Sequence, residues 1–302
     1  MTDISTESVK FYSAGNKLAG DLYLPTADSQ IPRPAVVILH GWTGIKNFLV
    51  GDIATKFAHA GYVALTFDYR GYGESDGTRH RLIPEEQVED GRNAITFLST
   101  LEQVSETQIG AVGVSFGGGI GLAIAARDKR LRCLSCNGTV SNGENWLRSV
   151  RREWEWIAFK ADLEEDRRLR VQTGESKRVT PWEILVPPPD PTNFIENNDK
   201  NIPGFKSTLP LESADAVIEF KPVQVADQIR CPVRLIHAET DPLVPSEQSI
   251  EVHSALQASK SLVLIPVAAR MELYQRHFET VINHHLDWHL QHNPLQPEIC
   301  EE

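Results

Sequence analysis

The side chain best placed to do chemistry is Ser115, at the centre of Gly113-Val114-Ser115-Phe116-Gly117, a G-x-S-x-G pentapeptide. It directly follows the apolar run Ile109 to Val114, which predicts a buried strand, and it opens a Gly/Ala-rich stretch to Ala126, which predicts a helix. Glycines on either side permit a sharp strand-to-helix turn that pushes a serine out of the backbone, where it can act as a nucleophile. The helix N-terminus behind it favours developing negative charge. The simpler reading is a structural turn, but the strand before and the helix after weigh against it. Cys133 and Cys136 have C-x-x-C spacing, yet no second such pair completes a zinc site. They lie in the apolar run Leu131 to Cys136 and read as packed free thiols in a buried strand.

The elements around Ser115 alternate. Apolar runs at Ala35 to His40, Tyr62 to Asp68, Ile109 to Val114, Leu131 to Cys136, Pro232 to Ala238 and Ser261 to Val267 are separated by helical patterns at Asp52 to Ala60 and Pro84 to Leu101. Near-continuous apolar strands separated by helices predict an α/β fold with a mostly parallel sheet covered on both faces. Alternation from Val9 to Leu24 around a Gly-Asn turn predicts an antiparallel hairpin at one edge. The rhythm breaks between residues 138 and 221, which predicts an inserted cap over a core formed by residues 1–137 and 222–292. That segment opens on a helical stripe of Trp146, Val150, Trp154, Ile157 and Ala161, read as packing residues, and continues to a proline cluster, Pro187 to Pro191. Residues 293–302 read as a flexible polar tail.

The chain has 302 residues and a net charge of −11. An acidic surface disfavours nucleic acid and anionic membrane as partners and leaves a small-molecule substrate. No apolar run is long enough for a membrane span, and Met1 to Lys10 lacks the apolar core of a signal peptide. Scattered cysteines fit a reduced, cytoplasmic protein. Oligomeric state is open, a homodimer included.

Three further segments, read with the serine pentapeptide, make the chain resemble the α/β-hydrolase family from about residue 15 to residue 290, the insertion excepted. His40-Gly41-Trp42 follows the first apolar strand, where that family places its oxyanion loop. Asp68-Tyr69-Arg70-Gly71-Tyr72-Gly73-Glu74-Ser75 looks like its D-x-R-G-x-G-x-S turn. His237 to Pro245 (HAETDPLVP) is similar to its acid loop. The resemblance implies that Ser115 attacks a carboxylic ester or thioester, that the Trp42 and Phe116 main-chain N–H groups hold the oxyanion, and that Asp241, favoured over Glu239, orients a histidine. Donors so fixed are often worth about 3 kcal/mol each. By position, His40 is a structural hydrogen-bonder, and Asp68 and Arg70 stabilise their turn. A serine argues against haloalkane dehalogenase or epoxide hydrolase chemistry, and no metal or organic cofactor is implied.

At the third catalytic member the pattern fails. Where many small esterases read G-x-x-H-x-E-L-Y, this chain reads Val267-Ala268-Ala269-Arg270-Met271-Glu272-Leu273-Tyr274. Arg270 is protonated at any working pH and cannot take a proton from Ser115. His277 would lie about 10 Å farther along a helix. His284, His285, His289 and His292 read as the polar face of the last helix. Either the base is lost and Arg270 pairs with Asp241, or Arg270 holds an anionic substrate group for carbon–carbon or lyase-type chemistry. A non-catalytic ligand-binding homologue is the third reading.

Overall fold

The computed structural model describes residues 3–26, 31–186, 207–266 and 270–295. Eight strands form one sheet: β1 (Ile4–Ser13), β2 (Asn16–Pro25), β3 (Arg33–Leu39), β4 (Val63–Phe67), β5 (Val104–Val114), β6 (Leu131–Asn137), β9 (Val233–Ala238) and β10 (Lys260–Ile265). Their order is β1-β2-β4-β3-β5-β6-β9-β10. The β1–β2 hairpin and the β2–β4 pairing are antiparallel; every later pairing is parallel. The hairpin occupies one edge and turns at Ala14-Gly15, both with positive φ, as tight two-residue hairpins require.

Helices cover both faces. α1 (Val50–His59) and the last helix, α9 (Phe278–His292), lie on one side, with Val36, Ile38, Val112, Phe57 and Ile282 in one apolar cluster. α2 (Pro84–Ser99), α3 (Phe116–Arg127) and α8 (Glu247–Ala255) lie on the other. Pro84 sits in the first turn of α2, with Glu85 and Glu86 beside it, and Val88, Ile95 and Leu98 are buried. β3 is buried on both faces almost throughout, which is why it reads as an unbroken apolar run.

Between β6 and β9 the chain forms α4 (Gly143–Ser149), α5 (Glu153–Thr173), α6 (Pro181–Ile184), α7 (Glu212–Glu219) and a two-stranded ribbon of β7 (Arg178–Val179) and β8 (Leu209–Pro210). The single stripe expected there is corrected. The helix is interrupted after α4, so α5 starts in a new phase and buries Trp156, Phe159, Leu163 and Asp166. Trp154 and Ile157 are 64% and 62% exposed on its outer face. The Pro187 to Pro191 cluster lies outside the described residues.

The last helix holds a second correction. His285 and His289 are fully buried. His285 Nδ1 is 2.7 Å from Ser135 Oγ and its Nε2 3.2 Å from Asn137 Oδ1, while His289 Nε2 is 3.2 Å from Ser135 Oγ. α9 lays these imidazoles against polar side chains of β6, so they sit in the interior where helical periodicity alone places a charged face. Burial holds both pKa values down to about 3. Cys133 and Cys136 are buried free thiols, and burial raises their pKa well above the usual thiol range.

Candidate active site

The C-terminal ends of β3, β5, β6 and β9 are neighbours in the sheet, and parallel α/β sheets bind ligands off such ends. Ser115 stands between β5 and α3 with φ 60° and ψ −120°. A non-glycine backbone in that region is strained by about 1–3 kcal/mol and persists only where its surroundings hold it. Here the Ser115 N–H donates to Asn137 O at 2.9 Å, and its carbonyl accepts from the Gly118 N–H at 2.9 Å and the Val140 N–H at 3.3 Å. The turn also needs bare backbone next to it. A Cβ on Gly117 would lie 2.2 Å from Leu39 O, and one on Gly41 would lie 3.0 Å from Ser115 Cβ.

Gly41 therefore packs directly on the serine, which brings the His40-Gly41-Trp42 segment to it. Among the described residues, neither the Trp42 nor the Phe116 main-chain N–H has a hydrogen-bond acceptor. Their rings form an aromatic wall: Trp42 meets Phe116 and Trp146 edge-on at 6.0 and 5.7 Å, Phe116 stacks on Trp146 at 5.7 Å, and Phe220 closes the group. Full burial of a side chain such as Phe116 contributes about 1.5–3 kcal/mol. Trp146 Nε1 also donates to Leu243 O at 3.1 Å, tying α4 to the loop after β9.

Asp241 is buried in that loop. Its Oδ1 accepts the Leu243 and Val244 N–H groups at 2.9 and 3.0 Å. Its Oδ2 receives Arg270 Nη1 at 2.6 Å. Arg270 opens a 3₁₀ turn, Arg270–Tyr274; its Nη2 donates to Gly138 O at 2.9 Å and Tyr274 Oη at 3.3 Å. Burial alone would raise the Asp241 pKa; the Arg270 charge, with His237 Nε2 3.6 Å away and the hydrogen bond from the Val244 N–H, brings it down to about 2. Burial opposes the Arg270 charge, but Tyr274 and Asp241 hold its pKa above the usual value. Glu239 is exposed.

Ser115 and Arg270 are joined through Asn137-Gly138, whose two carbonyls accept one hydrogen bond from each. No described histidine hydrogen-bonds to Ser115 Oγ. His237 is engaged by Ser249 Oγ at 2.7 Å and Val244 O at 2.9 Å. His40 is buried with Nδ1 3.2 Å from Gly41 O, and burial lowers its pKa to about 4. His285 and His289 are spent on β6. Asp68 accepts the Lys46 and Glu74 N–H groups, and Arg70 pairs with Asp90, so both hold their turn. Val267 to Ala269, the start of the altered loop, lie outside the described residues. Sequence reasoning missed Tyr274 and Asn137 as neighbours of Arg270 and Ser115. Tyr274 was in view, four residues on, but its reach back to Arg270 depends on a 3₁₀ turn. Among the described residues no group of three or more His, Cys, Asp or Glu side chains could hold a metal ion. No described helix is long and apolar enough to cross a membrane.

A strained serine between a parallel strand and a helix, on a sheet with this strand order, defines an α/β-hydrolase. Within that class, residues 14–268 match the model of the X-Pro dipeptidyl-peptidase (S15) family, and the chain belongs to it. An Escherichia coli protein, the uncharacterized 31.7 kDa protein in the traX-finO intergenic region, is 29% identical over 88% of this chain and 93% of its own. The thiohydrolase aneE of Aspergillus aculeatus is 28% identical over 90% of this chain and 83% of its own. The α/β-hydrolase GrgF of Penicillium sp. sh18 superposes with a TM-score of 0.79 over 95% of this chain and 99% of its own, at 21% identity, a likeness of fold.

Proposed function

We propose that this chain is a serine hydrolase or acyl transferase for a carboxylic ester or thioester of a small molecule, held back at its first proton transfer by Arg270. Ser115 Oγ attacks the carbonyl carbon, and the Trp42 and Phe116 N–H groups receive the oxyanion. The alkoxide or thiolate leaves with the proton from Ser115, and water or another acceptor then takes the acyl group. A base must carry that proton. The observation that carries the reading is the buried 2.6 Å pair of Arg270 and Asp241, in a site where no described histidine reaches Ser115. The acid is in place and the base position is filled by a permanent cation. Residues 138–221 serve as the cap, with Trp146 and Phe220 beside the acyl position. The thiohydrolase relative supports the thioester as one substrate class.

Arg270 as the holder of an anionic substrate for lyase-type chemistry is less well supported, because Asp241 already neutralises its charge. The test is covalent labelling with a fluorophosphonate, read by peptide mass spectrometry. Arg270→His should be labelled at Ser115 much faster than the Arg270 chain, and adding Ser115→Ala should abolish the label. A label that persists in the Ser115→Ala form removes the assignment. No label in Arg270→His, with a ligand still raising the melting temperature, favours a binding protein.

A further inference from the structure

We propose that Lys46 is a positioning residue that fixes the loop bearing the Trp42 N–H against Ser115; the proposal rests on the role given above to that N–H. Lys46 lies on the loop between β3 and α1, four residues after Trp42, and only 5% of it is exposed. Lysine is almost never buried unless paired. Its Nζ donates to Asp21 Oδ2 on β2 at 2.7 Å and lies 3.1 Å from Glu74 Oε2. Its own main-chain N–H donates to Asp68 Oδ1 at 2.7 Å, and the other oxygen of Asp68 accepts the Glu74 N–H at 2.9 Å. One residue thus ties the loop to β2, to the end of β4 and to the Asp68–Ser75 turn, through a buried charge-assisted bond to Asp21 and a surface one to Glu74.

The loop needs such a tie. Thr43 has φ 48° and Leu49 φ 59°, two non-glycine residues in the left-handed region on either side of Lys46. Thr43 is β-branched, for which that conformation is an outlier. Inside the loop, the main-chain bonds are Gly44 N–H to Gly41 O at 3.2 Å and Phe48 N–H to Ile45 O at 3.0 Å. Neither connects it to the sheet. Without the Lys46 ammonium the loop keeps its main-chain bond to Asp68 and the packing of Trp42 but loses its bond to β2, which helps set the Gly41 backbone on Ser115, a contact too tight to take an added methyl without a shift. Burial works against the ammonium charge, and Asp21 and Glu74 overcome it, keeping the pKa above its usual value.

The test uses two measurements. Hydrogen–deuterium exchange on the Arg270 chain should show residues 41–49 exchanging faster in Lys46→Met, with β5 and α3 unchanged. Because Lys46→Met strands the Asp21 carboxylate, the paired Lys46→Met, Asp21→Asn form is measured too. In the Arg270→His background, the paired form should lose about 10²-fold in kcat on p-nitrophenyl acetate, the cost of one displaced oxyanion donor. KM should stay within about threefold, since the ground state does not use that donor. Lys46→Arg, which keeps the charge, should recover most of kcat. Unchanged exchange at 41–49 overturns the tie itself. Faster exchange with kcat unchanged, or kcat and KM both altered in proportion to lost folded protein, overturns the positioning role. An inactive Arg270→His parent overturns the reading beneath the proposal, whatever the exchange result.

Discussion

Replacing Asp241 with Asn removes the partner of a buried guanidinium. The folded carboxyl has a pKa of about 2 against an ordinary value of 3.8. At about 1.4 kcal/mol per pH unit, that difference corresponds to about 2–3 kcal/mol of stability from the charged form. The Asp241 side chain is fully buried in its pair with Arg270, so solvent screening takes little from this figure. Because the folded pKa is depressed, the contribution is complete above the unfolded carboxylate range. It is lost as pH falls from about 4 through about 2. The substitution removes more than charge: the carboxylate uses both oxygens, Oδ1 for the Leu243 and Val244 N–H groups and Oδ2 for Arg270, and an amide sets an NH₂ donor against one of these donor sets. Breaking one side of a buried pair typically costs about 3–5 kcal/mol. Urea unfolding at pH 7, followed by circular dichroism, should therefore place Asp241→Asn about 3 kcal/mol or more below the parent. Arg270→Met should cost a similar amount by stranding the carboxylate, and the double variant should cost less than the sum of the two. A loss under about 1 kcal/mol for Asp241→Asn, or strict additivity in the double variant, would refute the account of the pair.

Acid should weaken the fold well before the carboxylates titrate. His40, His285 and His289 are held neutral to between about 3 and 4, while their unfolded forms protonate below about 6.5. Each therefore removes about 1.4 kcal/mol per pH unit as pH falls below that value. Urea midpoints at pH 7, 6 and 5 should fall steadily, and His285→Gln should flatten the slope; a flat parent profile contradicts the buried-neutral assignment. In α5, Trp154→Ala should change stability by less than about 0.5 kcal/mol, while Trp156→Ala should cost about 3 kcal/mol or more. Equal melting temperatures for the two would contradict the observed phase of that helix. Gly41→Ala should fold but lose nearly all fluorophosphonate labelling in the Arg270→His background, because its methyl would meet Ser115 Cβ at 3.0 Å. Undiminished labelling would contradict the contact.

The parallel sheet was legible because β3 and the second half of β5, Ile109 to Val114, are buried on both faces and carry apolar runs with little alternation. The serine turn was legible because Gly117 must leave room for Leu39 O, so close backbone packing is written directly into the pentapeptide. The pairing of Arg270 with Asp241 was one of the readings that the loop motifs left open, and the 2.6 Å contact shows that the two meet. What the sequence concealed depends on phase and on long-range contact. The break after α4 rephases α5 and turns Trp154 outward, and no strong stop signal marks it in the sequence. His285 and His289 look like solvent-facing polar residues until Ser135 and Asn137, about 150 positions away, arrive opposite them. Lys46 reads as one more surface lysine, since its partners Asp21, Asp68 and Glu74 converge only when β2 and β4 pair.

Whether the site lacks only a proton acceptor is tested most directly by the initial rate of Arg270→His beside the Arg270 chain on a panel of p-nitrophenyl esters and acyl thioesters. Losing the histidine of a comparable serine hydrolase costs about 10⁶-fold in kcat, because nucleophile and base act as a unit. Supplying it beside Asp241 and Ser115 should raise the rate by orders of magnitude, with activity climbing through a pKa of about 6.5. Arg270→His that folds normally and stays inactive across the panel, while the Arg270 chain turns over some other substrate, would contradict this and make Arg270 a working residue.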